Sequence, residues 1–233
     1  MSASSRRAAR WLAAGAGLAA AGYAAYAASA WLRYGRPRAP AGPDQHDQLL
    51  DRFMAEYDVA ERHSIRVEAP PEITLAAAAE MDLLASPVVR ATIRARELLL
   101  RADRDDRPRP AGLLAEVQAL GWGVLAEVPG REVVVGAVTR PWEANVVFRA
   151  VPPGEFASFA EPGYAKIAWT LRADPAGGRA SVFRTETRVA TTDAFARATF
   201  RRYWALLSPG IILIRLAMLR PLKREAERRA RAS

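Results

Sequence analysis

The chain has 233 residues, and 51% of them are hydrophobic, which is enough for one domain with appended segments. With no cysteine and two histidines, it cannot form disulfides, thiolate or histidine-rich metal sites, or use a cysteine nucleophile. The formal net charge is +9, and the excess of basic residues lies at the two ends of the chain. Residues 1–38 contain six arginines, and residues 215–233 carry seven basic and two acidic side chains. Such terminal clusters suit anionic lipid headgroups, and no nucleic-acid motif is visible, so we expect a membrane partner and no nucleic acid.

The amino-terminal segment is apolar and uncharged. Residues 11–32 form a predicted helix of roughly 33 Å, enough to cross a bilayer core of about 30 Å. Trp11 and Trp31 stand where the two aromatic belts of a bilayer would lie. We therefore expect a basic segment over 1–10 and an uncleaved single-pass anchor, whose orientation is left open by equal arginine counts on its two sides. The small residues Ala28-Ser29-Ala30 leave a cleaved export signal as one alternative, and a soluble helix is another.

A linker is predicted over 33–57, because residues 36–48 hold three prolines and show no apolar periodicity. The folded domain is then expected over 58–233. Its first strand, within 61–70, alternates so that His63, Ile65 and Val67 share one face. Prolines near their first turns mark two following helices, and a glycine ends a third. These three helices are predicted at 71–84, about 87–101 and 112–121.

From Trp122 onward the apolar period changes from 3.6 to 2, which predicts an antiparallel meander of five or six strands. Two hairpins turn at Pro129-Gly130 and at 175–178, a further strand is predicted at 142–151, and 155–160 is left open as strand or loop. Glu186 alternates with its arginine neighbours opposite Phe183, which predicts a solvated charge ladder. The predicted hairpin strands are 122–128, 131–139, 164–174 and 179–192.

A long helical region follows Thr192. Pro209-Gly210 is expected to break it into arms at 193–207 and 211–230 with a kink between them. The aliphatic run 211–219 is too short to span a bilayer and contains Arg215, so a core helix packed on the sheet is favoured over a membrane-surface helix.

This order of elements, with the short segment "IRVEAPPEI" at 65–73, resembles the helix-grip superfamily, also called START-like or SRPBCC. The resemblance covers about residues 58–230 and implies an α+β fold in which a curved antiparallel sheet wraps a long carboxy-terminal helix. Lipid-transfer domains and polyketide cyclase-like proteins belong to this superfamily, and their ligand cavity lies between sheet and helix. The superfamily shares no single catalytic motif, so no catalytic residue is carried over. Ile73, Thr74 and Leu75 stand where relatives commonly have an aromatic residue.

Seven residues are predicted to line such a cavity, because they are aromatic or polar side chains on predicted strands or on the final helix. They are His63, Trp122, Trp142, Trp169, Phe183, Trp204 and Arg215. Arg215 interrupts an apolar stripe, so it requires a partner. It is expected either to form an ion pair with Glu143 or Glu186, or to anchor a ligand.

The first functional hypothesis is a membrane-tethered, non-enzymatic domain that binds a hydrophobic small molecule or lipid and needs no cofactor or metal. The second is a cyclase- or hydrolase-like enzyme on the same scaffold, with His63, Glu143 or Arg215 as acid/base candidates. The third is a structural membrane protein whose interior is filled by its own side chains. A cavity of several hundred Å³ favours the first two hypotheses, whereas a filled interior favours the third.

Overall fold

A computed structural model describes residues 3–36, 42, 46–103 and 110–232. Parts of the predicted linker (37–41 and 43–45) and of a charged loop (104–109) lie outside the described residues. The helices are α1 (Ala3–Arg33), α2 (Gln48–Asp51), α3 (Pro71–Ala79), α4 (Pro87–Leu100), α5 (Leu113–Ala119), α6 (Pro153–Phe156) and α7 (Ala194–Ala232), with a 3-10 turn at Leu83–Ala85. The strands are β1 (Val59–Val67), β2 (Gly123–Val128), β3 (Glu132–Thr139), β4 (Phe148–Arg149), β5 (Ala165–Pro175) and β6 (Ser181–Thr191).

The strands form one antiparallel, open sheet in the order β1-β6-β5-β3-β2, with the short β4 paired to β3. The first strand therefore lies beside the last one, and His63 stands opposite Thr185 in that pairing. Helices α3, α4 and α5 are inserted between β1 and the meander, and α7 follows the sheet. This is the α+β helix-grip arrangement that the element order predicted.

One face of the sheet packs against α3, α5 and α7. Its cluster of buried side chains includes Val67, Trp169, Phe183, Leu222 and Ala226, the last two contributed by α7. Helix α7 is unbroken from 194 to 232 and contains both Pro209 and Pro221. The predicted break at Pro209-Gly210 is therefore wrong. A proline removes one backbone hydrogen bond, whereas side chains on both sides of Pro209 are buried in the body.

The opposite face of the sheet is also covered. Residues 47–57, assigned to the linker from sequence, contribute Leu50, Phe53 and Met54 to a second cluster with β3, β5 and α6. Leu50 has no exposed surface, and Asp47 caps α2 by accepting a hydrogen bond from the Leu50 amide at 2.8 Å. We call residues 47–57 the strap. Sheet packing thus begins before residue 58.

Helix α1 packs on the first half of α7. Ala30 and Tyr34 are buried with Phe200 and Trp204, and the Tyr26 hydroxyl lies 3.1 Å from the Ser208 Oγ. The segment expected to be a membrane anchor is therefore partly committed to protein contacts. Among the described residues α1 is not identified as a candidate span, so the predicted single pass over 11–32 is not supported.

Two local predictions differ from the structure. Only 148–149 of the strand predicted at 142–151 pairs with the sheet, because Arg96 of α4 donates to the backbone oxygens of Pro141 and Glu143 and holds the preceding chain as a loop. The first predicted helix ends at Ala79 rather than at 84. Asp82 then caps the separate 3-10 turn by accepting hydrogen bonds from two backbone amides.

Candidate functional site

Arg215 is the charged residue that α7 places between itself and the sheet. It follows Ile211 by four residues and precedes Leu222 by seven, so it lies on the sheet-facing side of the helix. Its Nη1 donates a hydrogen bond of 3.2 Å to the Thr185 hydroxyl, and its guanidinium lies 5.0 Å from the centre of the Trp169 ring. Both partners are neutral, so neither of them neutralises the positive charge of Arg215.

The predicted ion pair of Arg215 is wrong for both candidates. Glu143 lies in the loop after β3 and pairs with Arg140 at 3.5 Å. Glu186 belongs to the opposite face of the sheet, where Arg62 and Arg188 each approach it to 2.6 Å. Among the described residues, Arg215 has no carboxylate within salt-bridge distance.

His63 completes the polar cluster. It stands opposite Thr185 in the β1–β6 pairing, and within the described part of the chain its Nε2 is buried without a hydrogen-bond partner. We call His63, Thr185 and Arg215, with the Trp169 ring beside them, the grip cluster. It offers one cationic donor, one hydroxyl and one imidazole nitrogen.

Burial determines the protonation of both titratable members. Desolvation, with a smaller effect from the nearby charge of Arg215, lowers the pKa of His63, so the imidazole is neutral at pH 7 and one ring nitrogen is left to donate or accept a hydrogen bond. Desolvation also lowers the pKa of Arg215 to about 10, which leaves the guanidinium charged at pH 7. The cluster therefore suits a group that accepts from Arg215, and a carboxylate is the strongest such acceptor.

The space around the grip cluster is almost completely filled. The void between sheet and α7 measures about 10 Å³, about what one water molecule needs and far below the several hundred Å³ expected of a ligand cavity. Its apolar wall includes flexible side chains, namely Met81, Met218 and Leu219. Among the described residues, the void at this place is therefore too small to hold a ligand without movement of its walls.

The structure divides the predicted site residues into two groups. Phe183 lines the void, and Trp122 packs on Trp169 with their ring centres 6.2 Å apart, so both belong to the surroundings of the grip cluster. Trp142 and Trp204 instead pack around Phe200, in the cluster that receives α1. These two tryptophans serve the contact between α1 and α7.

Of the residues that line a polar pocket on the strap side of the sheet, the predicted site residues include only His63. The pocket measures about 100 Å³ and is lined by Arg62, Arg172 and Arg184 with acidic and hydroxyl groups between them. Asp174 pairs with Arg172 at 2.9 Å and with Arg184 at 3.0 Å, so these arginines are already compensated. The predicted charge ladder does exist, but it is covered, since Glu186 is 5% exposed.

Among the described residues, α7 is the helix that has the length and apolar composition to cross a membrane. The contacts of α7 with the rest of the body indicate instead that it packs on the sheet. Besides its buried face, Lys223 donates to the Arg66 backbone oxygen at 2.7 Å, Glu227 accepts from the Glu68 amide at 3.0 Å, and Arg229 pairs with Glu80 at 2.6 Å. A helix bound to the body in this way is the grip helix of the fold.

No family model and no curated protein matches this sequence. Among solved structures, the chain is similar to CalU16 from Micromonospora echinospora, with 14% identity over 74% of this chain and 86% of that one and a TM-score of 0.25. The Zhui aromatase/cyclase from Streptomyces sp. R1128 shows 14% identity over 73% and 94%, with a TM-score of 0.23. Protein CV1439 from Chromobacterium violaceum shows 17% identity over 66% of this chain and 96% of that one, with a TM-score of 0.25. Because these scores are low, the assignment of the fold rests on the strand order and on the position of α7, and by these features the chain has an α+β helix-grip fold.

Proposed function

We propose that this chain is a membrane-associated binding domain for a hydrophobic small molecule or lipid that has an anionic end, held between the sheet and α7. One observation carries the proposal: the charged guanidinium of Arg215 lies inside the grip without a carboxylate among the described residues. An interior cation without a counter-ion is costly, and a ligand carboxylate would supply the missing charge.

The surroundings of Arg215 support an apolar body for such a ligand. Met81, Met218 and Leu219 form the apolar side of the void, next to the ring of Phe183. Methionine and leucine side chains adapt to different shapes, so their displacement would open a site continuous with the grip cluster. Because the void is about 10 Å³, ligand entry requires this displacement.

The test compares a fluorescent long-chain polyene fatty acid with its methyl ester, using the purified full chain. We expect the acid to bind more tightly than the ester, because only the acid presents a carboxylate to Arg215. Arg215→Leu should weaken binding of the acid by roughly 10- to 100-fold, the value of a charge-assisted hydrogen bond, and leave the ester unchanged. Arg228→Leu is the matched control, since Arg228 is exposed on the same helix.

The small void favours a second candidate, a structural protein whose interior is filled by its own side chains. This candidate predicts no saturable binding of either probe. It also predicts no apolar molecule in organic extracts of the chain purified from several hosts. Equal binding of acid and ester, unaffected by Arg215→Leu, would contradict the role of Arg215 while leaving an apolar site in place.

A further inference from the structure

The outer side of α7, opposite the sheet, exposes a row of leucines. Leu206, Leu213 and Leu216 are 54%, 47% and 49% exposed, and their separations of seven and three residues place them along one side of the helix. We call them the outer leucine row. Isolated exposed leucines are ordinary, whereas a row along one helix marks a candidate contact surface.

Charge identifies the kind of surface that fits this row. Between Ala194 and Arg224, α7 contains no acidic residue. Exposed arginines flank the leucines at both ends, with Arg202 on one side and Arg220 and Arg224 on the other. An apolar centre between basic ends matches a lipid leaflet, whose acyl region is bordered by anionic headgroups.

Two more helices border the outer leucine row and expose apolar side chains of their own. On one side is α1, whose Tyr23 hydroxyl donates to the backbone oxygen of Leu206. On the other is α4, which approaches so closely at Gly210 that an added Cβ would lie 2.9 Å from the Thr92 methyl group. Their exposed apolar side chains include Leu18 (77%), Leu98 (64%) and Leu99 (69%).

The length of α1 decides how deep it can reach. Tyr23 is the first of the described α1 side chains with a hydrogen bond to α7, and side chains added at Gly15, Gly17 or Gly22 would meet nothing within 4 Å. The uncharged part beyond these contacts, residues 11–22, is roughly 18 Å long, about half of a bilayer core of about 30 Å. Helix α1 continues beyond residue 11 to Ala3, and this part carries Arg6, Arg7 and Arg10. End-on insertion would carry these charges to the bilayer centre, so α1 must lie along the near leaflet without crossing to the other.

We propose that α1, the outer leucine row and the exposed leucines of α4 form one surface that binds an anionic bilayer from one side, with residues 11–22 lying along the near leaflet. The chain is then monotopic, not single-pass. This binding does not depend on a ligand in the grip. Arg215 precedes Leu216 in the chain but faces the sheet, so α7 lies between the grip cluster and the lipid.

Vesicle co-sedimentation tests the surface with the full chain, using phosphatidylcholine vesicles with and without phosphatidylglycerol. We expect preferential binding to the anionic vesicles. Leu213→Asp/Leu216→Asp should reduce binding to both kinds at least tenfold, whereas Arg202→Gln/Arg220→Gln/Arg224→Gln should abolish the preference, a loss of roughly 100-fold on anionic vesicles. Val128→Asp, at an exposed position on β2, is the control and should change neither. Unfolding midpoints confirm that each variant is folded.

Topology is tested by cysteine labelling, which the absence of native cysteines makes direct. With the chain bound to sealed vesicles from outside, Ser5→Cys and Ser233→Cys should both react with a membrane-impermeant maleimide. Labelling of Ser5→Cys only after the vesicles are opened would overturn the monotopic arrangement. If neither set of substitutions weakens vesicle binding, the lipid surface is overturned. It is also overturned if the substitutions convert a dimer into monomers, because the surface would then bind a second copy of the chain.

Discussion

Arg188 on β6 donates a hydrogen bond of 2.7 Å to the backbone oxygen of Met54, and so ties the sheet to the strap. The same guanidinium bonds Glu186 and Asp51, both at 2.6 Å, and the residue is 1% exposed. A buried arginine of this kind is tolerated because its Nε and Nη1 both donate to acceptors, two of which are carboxylates. The strap is thus held by an interior polar network as well as by Leu50.

Arg188→Met should destabilise the fold by about 3–5 kcal/mol, because it removes the cation, leaves the buried Met54 carbonyl without this donor and leaves the buried Glu186 with Arg62 alone. Urea denaturation measures the loss, and limited proteolysis should show earlier cleavage within the strap. Arg66→Met is the control. Arg66 pairs with Glu68 at the surface, its side chain is 56% exposed, and its loss should cost less than about 1 kcal/mol. A cost for Arg188→Met as small as that of Arg66→Met would contradict the role of the network.

Glu132, 8% exposed at the start of β3, links stability to pH. Burial, followed by the hydrogen bond and charge of Asp47, raises the pKa of its carboxyl to about 8. The folded state therefore keeps a proton that the unfolded chain releases near its ordinary pKa of 4.5. Stability contributed by this group is complete below about pH 4.5 and is lost as the pH rises toward 8, by on the order of 3 kcal/mol.

Glu132→Gln should flatten this pH dependence, since a neutral amide retains a donor for Asp47 at every pH. We expect the variant to match the wild type at pH 5 and to exceed its free energy of unfolding at pH 9. Chemical denaturation across pH 5–9 measures the difference. Glu127→Gln, at an exposed position on β2, should leave the wild-type profile unchanged. Parallel profiles for wild type and Glu132→Gln would show that Glu132 titrates normally.

Alternation along the strands was sufficient to predict the meander, because each face of a hairpin can be read from every second residue. It also placed Glu186 opposite Phe183, on the face away from α7. The same alternation could have excluded Glu186 as the partner of Arg215. Alternation does not predict which segment covers each face of the sheet. The charge ladder was expected in solvent because nothing in the sequence of β6 indicates that the strap covers it.

The strap was missed for a physical reason. Its helix α2 has four residues, too few for apolar periodicity, and the preceding prolines resemble a tether. Its position depends on long-range bonds from Arg188 and on the contacts of Leu50, which local sequence does not encode. The filled grip was likewise beyond sequence reasoning, because a void of about 10 Å³ instead of several hundred depends on how Met81, Met218 and Leu219 pack.

Replacing Arg215 should separate stability from binding. Burial lowers the pKa of Arg215 to about 10, so keeping the charge inside the fold at pH 7 is unfavourable. Arg215→Leu should therefore raise the free energy of unfolding by about 1–3 kcal/mol, even after losing the contact with Trp169. Denaturation at pH 7 measures the gain, and Arg220→Leu should change stability by less than about 0.5 kcal/mol. A destabilised Arg215→Leu chain would mean that the guanidinium is structural.

Gly210 allows α4 to lie close to α7. An added Cβ would lie 2.9 Å from the Thr92 methyl group, closer than carbon atoms tolerate. Gly210→Ala should gain about 1 kcal/mol of helix propensity and lose at least as much to this clash, so the single variant is neutral or destabilised. Thr92→Ala removes the methyl group, and in that background Gly210→Ala should become stabilising, with a coupling energy of about 1 kcal/mol or more in a urea double-mutant cycle. Simple additivity of the two substitutions would show that α4 can move away from α7 without cost.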